Sequence, residues 1–406
     1  MGWLAFLAAI AAIPAIASSR AARLIAAAPA LTVAVGAVLA VIFGLLKLPQ
    51  PPADWIAFAA KAGLAMLGFA SAAQLRVSRL AQQCPSSFRL TFGGAPLYFF
   101  ACSLAAFIML PQLSIPSAML VGGALMLNGA AFDRRAVVNT PAPAAIKAAV
   151  RNESAAIIAL GIPVAALIAA NATVGAPGEP PLGPLMTASF AVLKGFAFGG
   201  GAGLAASLAG AFYRRRTMQQ RALDGQFAML AGIVMFLAAP ALGADPIVAA
   251  TSVGLLWGEQ TSAASTTRLR IRRYIDRAVT PLAYFGFGAV LLPRLFQADM
   301  LAIVFALAAV TVMRAGPRLA ILQTPALPKE SQMFLAWFGG APGAASALFV
   351  MTLIGNPALI DADAVLTVTT LAVLFGVAAA RLTSRPLARL YVRQSALAKR
   401  RRAWAG

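Results

Sequence analysis

The chain has no histidine, and it has only twelve carboxylates against 33 lysines and arginines. Without imidazole there is no histidine zinc site, no serine–histidine triad and no histidine proton relay. The two cysteines, Cys84 and Cys102, stand alone, one in a basic connector and one in an apolar run. They offer neither metal spacing nor a disulfide framework. Charge of either sign is scarce at 11% of residues, beside 61% hydrophobic residues and a mean hydropathy of +0.82. A soluble core of 406 residues needs a polar exterior that this composition does not supply. No nucleotide-binding loop and no cluster of acids with metal spacing is present, so an enzyme finds no machinery and no cofactor is expected.

What the chain does have is a succession of apolar runs near the ~20 residues needed to cross a bilayer. We read thirteen spans, at about 2–19, 24–46, 56–75, 90–111, 116–133, 152–171, 185–212, 226–242, 245–261, 279–297, 299–323, 333–354 and 363–383. Residues 2–19 lack the basic leader of a secretory signal and read as an uncleaved first span. The net charge of +21 is distributed over alternate connectors, from Arg20 and Arg23 to the run Arg381 to Arg402. That alternation is the positive-inside pattern. It places the N-terminus outside and the C-terminus in the cytoplasm, and it accounts for the charge by topology and anionic lipid rather than nucleic acid.

The expectation is an all-α polytopic membrane protein of the bacterial inner membrane, with about 13 transmembrane helices. A first half at about 1–172, a linker helix at about 185–212 and a second half at about 226–383 make a transmembrane domain 1–383, followed by a basic cytoplasmic tail, 384–406. Two six-helix halves around a linker start on opposite faces, the parity of an inverted repeat. The Gly199–Gly203 run in the seventh span reads as close helix packing.

Interruptions and carboxylates mark the candidate site. Gly339, Gly340, Pro342 and Gly343 break the twelfth span. Interior glycine and proline cost about 1 and 3 kcal/mol in a helix, and backbone freed at membrane depth needs protein or a wet cavity to satisfy it. Such a break reads either as a transport site or as a kink against a neighbour. Its counterpart in the first half is the fifth span, where Asn128-Gly129 precedes Asp133. Asp133 closes that span and Glu153 opens the next. Acids within a span are costly and usually functional, although Arg134, Arg135, Lys147 and Arg151 stand near enough to neutralise both at the membrane surface.

These residues resemble the monovalent cation–proton antiporter family of bacterial sodium/proton antiporters and sodium/hydrogen exchangers. Phe132-Asp133 is similar to the Thr-Asp pair at the break of the family's fifth span, and Asn152-Glu153-Ser154 falls on the sixth-span motif. Phe334 to Gly339 and Gly343 to Phe349 resemble the twelfth span, and Leu366 to Thr370 the thirteenth. The resemblance implies discontinuous helices 5 and 12, exchange of sodium or potassium for protons by alternating access, and a homodimer in membrane lipid. It makes Asp133 the main titratable ligand, Glu153 a group at the cytoplasmic mouth, and Asn128 and Ser154 neutral oxygens. Arg314 or Arg318 matches a family arginine, with Arg314 a possible core cation.

The departures are as informative. The family's central Asn-Asp ligands fall on Ile157-Ile158, and Phe132 replaces the threonine. Loss of those ligands opens an alternative: a divergent or uncoupled member of the same scaffold, moving another solute or serving a regulatory role.

Overall fold

The computed structural model describes residues 29–47, 51–128, 143–174, 182–216, 223–260, 265–324 and 327–405. Among these residues every named element is helical. In chain order they are α1 (Pro29–Leu45), α2 (Ala53–Ala73), α3 (Val77–Gln83), α4 (Pro85–Met109), α5 (Ile115–Met126), α6 (Ala144–Asn171) and α7 (Gly183–Arg216). The second part comprises α8 (Leu223–Ala238), α9 (Pro246–Gln260), α10 (Ser265–Val290), α11 (Met300–Leu322), α12 (Lys329–Phe338), α13 (Ala344–Thr352) and α14 (Ala362–Ala405). Among the described residues seven helices are long and apolar enough to cross a membrane, and α1 and α5 are shorter apolar helices. The expected first span, 2–19, lies outside the described residues.

Local chemistry sets the ends. Pro52 and Pro143 stand immediately before α2 and α6, where a missing N–H costs nothing. The Asp299 carboxylate accepts the Ala302 N–H at the start of α11, and Asp245 accepts the Ile247 and Val248 N–H groups at the start of α9. Two starts differ from the sequence reading. Helix α6 begins at Ala144 and α10 at Ser265, well ahead of the apolar runs at 152 and 279. Amphipathic turns extend both helices: along 271–278, pairs of buried and exposed residues alternate, with Ile271, Arg272, Ile275 and Asp276 facing in. At the other end, α14 continues past the thirteenth span to Ala405, so the basic tail carries on the same helix.

Helix α7 packs on α8 and α9, and α9 packs on α2. A Cβ at Gly199 or Gly203 would run into the backbone carbonyls of Ala249 or Val253, so these two glycines let α7 and α9 touch main chain to main chain. Helices α5, α6, α13 and α14 meet through one loop. Thr173 pairs with Leu359, Ile360 N–H donates to Ala172 O at 2.9 Å, and Ser117 Oγ donates to Ile360 O at 3.1 Å.

Asp361 completes this clamp. It adopts φ +52°, a region aspartate tolerates, and accepts the Ser114 N–H at 2.8 Å. Burial raises its carboxyl, but bonds from the Ser114 N–H and the Ser114 and Ser117 hydroxyls outweigh that and hold it below the usual aspartate range. The folded pKa is thus lower than the unfolded value of about 3.9. The charge stabilises the fold above that value, and the benefit fades as pH falls through the lowered one. Asp361→Asn keeps the tolerance for positive φ and removes the charge. Its melting temperature in detergent is expected to lie below the parent's at pH 7, with the gap closing under acid; a gap unchanged by pH would contradict this.

Candidate functional site

The site forms where two helices stop short. Helix α5 ends at Met126, Leu127 turns extended, and Asn128 forms an antiparallel bridge with Pro342. Pro342 belongs to the break between α12 and α13, residues 339–343. The interrupted segments therefore cross. Ser346, in the first turn of α13, donates its hydroxyl to Leu127 O, a carbonyl freed at the end of α5.

The first-half partner of this break is therefore the stretch that opens at Leu127-Asn128, where the sequence sets Asn128-Gly129 ahead of Asp133. The physical signal is the Asn-Gly dipeptide at 128–129, a strong turn former. Phe132 and Asp133 lie outside the described residues. Asn128 is 1% exposed, and neither its amide oxygen nor its amide nitrogen has a hydrogen-bond partner among the described residues.

Glu153 is enclosed by protein. Because α6 begins at Ala144, Glu153 sits more than two turns inside the helix and is 0% exposed. Its carboxylate forms a bidentate pair with the guanidinium of Arg318 on α11: Nη2 donates to Oε2 at 2.9 Å, and Nη1 donates to Oε1. The same guanidinium donates from Nη2 to Leu335 O at 2.7 Å and from Nε to Ala336 O at 3.0 Å. These carbonyls belong to the last turn of α12, where the break leaves Leu335 O only a long 3.4 Å bond from the Gly339 N–H. Arg318 is therefore counter-charge to Glu153 and cap to α12 at once.

The two glycines of the break make room for it. A Cβ at Gly339 would collide with Arg318 Nη2 and lie 2.6 Å from Glu153 Oε2. Gly340 has φ +74°, and its Cβ would lie 2.6 Å from Nη1. Arg314, one turn before Arg318, does not meet Glu153; its guanidinium lies over Trp337 at 4.9 Å from the ring centroid, packing α11 on α12 from another side. The counter-charge of Glu153 is Arg318.

Helix α6 runs along the crossing. Glu153 meets Gly339, and Gly161 meets Leu127, where its Cβ would be 3.0 Å from Cδ2. At 1.5 Å per residue the two levels are about 12 Å apart. Ile157 and Ile158 lie between them, both buried in the apolar core, and Ser154 is buried beside Glu153. Among the described residues no group of three or more potential metal-ligating side chains gathers.

A second buried ion pair escapes the sequence reading, which places its residues in a basic connector. Arg272 Nε lies 2.8 Å from Asp276 Oδ1 within α10, and Arg272 Nη1 donates to Ser71 Oγ on α2. The usable signal is the i, i+4 spacing of opposite charges beside Ile271 and Ile275. Glu153 and Asp276 are the buried acids among the described residues, and each is matched by an arginine.

Removing one member of a buried pair typically costs about 3–5 kcal/mol, because the other charge remains buried. Glu153→Leu is expected to destabilise by that order in a denaturant titration in detergent. Glu153→Leu combined with Arg318→Met should cost clearly less than the sum of the two single changes. It should still fall short of the parent, since the α12 carbonyls lose their donors. Strict additivity would show that the pair is not coupled.

The sequence profile of the sodium/hydrogen exchanger transmembrane family matches residues 5–389. No curated protein matches. Among solved structures, the fold is similar to that of the sodium proton antiporter MjNhaP1 from Methanocaldococcus jannaschii at pH 8, with TM-score 0.63, 16% identity, and 89% of this chain and 96% of that chain covered. An electron-microscopy structure of MjNhaP1 gives TM-score 0.54 and 16% identity, covering 86% of this chain and 89% of that one. With a family profile spanning nearly its whole length, this polytopic membrane protein belongs to the sodium/hydrogen exchanger family of transporters.

Proposed function

We propose that the protein exchanges a monovalent cation, sodium or potassium, for protons by alternating access, with Glu153 as the titratable group of the buried site. The observation that supports this most is the placement of a fully buried carboxylate against a broken helix, with Arg318 as its counter-ion. Exchange needs a carboxylate that holds either a proton or a cation, so that the two fluxes compete for one site. Glu153 meets this requirement if Arg318 yields part of its bidentate contact as the cation arrives. The amide oxygen of Asn128, buried without a partner among the described residues, and the hydroxyl of Ser154 are hard neutral oxygens suited to a small monovalent cation. Asp133 is a second titratable candidate. The N-terminus lies outside and the C-terminus in the cytoplasm of a bacterial inner membrane, and the chain works as a homodimer.

The aliphatic pair Ile157-Ile158 favours a second reading. These residues fill the core where the resemblance expects ligands, so the scaffold serves another solute or a regulatory role without proton coupling.

Proton movement in proteoliposomes on addition of sodium, potassium or lithium separates the two. Antiport predicts proton release with at least one cation, reduced more than tenfold by Glu153→Gln. Absence of release with all three cations, from protein shown to be inserted and monodisperse, would sink the antiport reading. Asp133→Asn is read in the same assay, and unchanged exchange would remove that residue from the mechanism.

A further inference from the structure

A cleft of about 60 Å³ opens between the end of α2, the third turn of α6 and the first turns of α10, lined by Gln74, Arg151, Asn152, Arg268 and Leu269. Its lining holds two guanidinium groups, two carboxamides and no carboxylate. A water molecule needs roughly 10–15 Å³ of such space, so the cleft has room for several waters or for one tetrahedral oxyanion.

The polar groups around it leave hydrogen-bonding capacity unused. Both amide atoms of Gln74 are buried with no hydrogen-bond partner among the described residues, and so is Arg268 Nε. Arg268 Nη1 reaches Gly258 O only at 3.5 Å. Asn152 donates to Cys84 Sγ at 3.1 Å, which leaves its amide oxygen and second N–H to other partners. Two other charges act on Arg268: Arg76, which repels it, and Glu259, which attracts it and accepts a hydrogen bond from Ser78. Arg151 and Arg268 both line the cleft beside the Gln74 amide, an arrangement of like charges that an anion held between them would favour. Arginine forks and amide N–H groups match the oxygens of a phosphate or phosphodiester.

The cleft also sits at a structural seam. Gln74 follows Ser71 by three positions and Arg268 precedes Arg272 by four, so both stand one turn from the pair that joins α10 to α2. Arg151 and Asn152 directly precede Glu153 on α6. We propose that this cleft binds a phosphate-type oxyanion that braces α6 against α2 and α10. Basic pockets between membrane helices take lipid head groups, and a free phosphate presents the same oxygens, so the shared chemistry is an oxyanion from either source. This site is separate from the Glu153 carboxylate and does not depend on which solute the protein moves.

Two measurements on the full chain test it. Calorimetric titration with inorganic phosphate in phosphatidylcholine nanodiscs reads the free anion. Native mass spectrometry after reconstitution in equal parts phosphatidylglycerol and phosphatidylcholine reads the lipid. Saturable phosphate binding identifies a free anion, and selective retention of phosphatidylglycerol identifies a head group; either supports the proposal. The binding so detected should weaken at least tenfold in Arg268→Gln and in Gln74→Leu, which leaves every charge in place. It should be unchanged in Arg273→Gln, an exposed arginine on the same helix. All variants must first elute as monodisperse protein. If the parent holds neither phosphate nor phosphatidylglycerol in preference to phosphatidylcholine, or if Arg273→Gln weakens binding as much as Arg268→Gln, the proposal is overturned.

Discussion

A single guanidinium holds the centre of this molecule together. Arg318 gives two hydrogen bonds to the buried Glu153 carboxylate and two to carbonyls in the last turn of α12. Each bond answers a cost that would otherwise stand. A lone buried carboxylate carries a desolvation penalty of several kcal/mol, and a helix ended inside a bundle leaves carbonyls without donors. Because one side chain answers both, the end of the broken helix and the Glu153 carboxylate share one anchor. Whatever draws Arg318 away from Glu153 also loosens the end of α12.

The rest of the core follows from that link. Gly339 and Gly340 are required where they are, since a side chain at either would occupy the space of the guanidinium. The break they create meets the other interrupted helix at Asn128, and Ser346 closes the carbonyl left open at Leu127. Isoleucines at 157 and 158 then complete an apolar wall on α6. Relative to Ile158, Glu153 lies five residues back, about 7.5 Å along the helix. The buried charge of α6 therefore sits toward α12 and not at the level of the Leu127 crossing. A second buried ion pair, Arg272–Asp276 on α10, tied to Ser71, repeats the same solution at the face of α2. Both helices that carry these acids start earlier than their apolar runs do, and this is how the acids come to lie inside.

Much of this was legible in the residues, for identifiable reasons. The apolar runs marked most helices because membrane-length hydrophobicity is a strong signal. The Gly-Gly-x-Pro-Gly sequence marked the break in the second half because few other settings tolerate it. Its counterpart opens at Asn128, where the Asn-Gly pair is the turn signal in the sequence; Phe132 and Asp133 lie outside the described residues. The start of α6 was missed because Lys147 and Arg151 read as a connector, although the turns before Glu153 are amphipathic. The same bias hid Asp276 and Arg272 in what looked like a run of surface charge. The neighbours of Arg314 and Arg318, one turn apart on α11, are set by packing that no sequence pattern encodes: Trp337 lies under the first, and Glu153 and Gly339 meet the second.

The central claim is that the Glu153 carboxylate is the group for which proton and cation compete. Infrared difference spectroscopy of the membrane-reconstituted protein observes that carboxyl directly. The account predicts a protonated-carboxyl band that appears at low cation concentration, disappears as the transported cation is added, and is missing in Glu153→Gln. A band that ignores every monovalent cation, or that persists in Glu153→Gln, would contradict it.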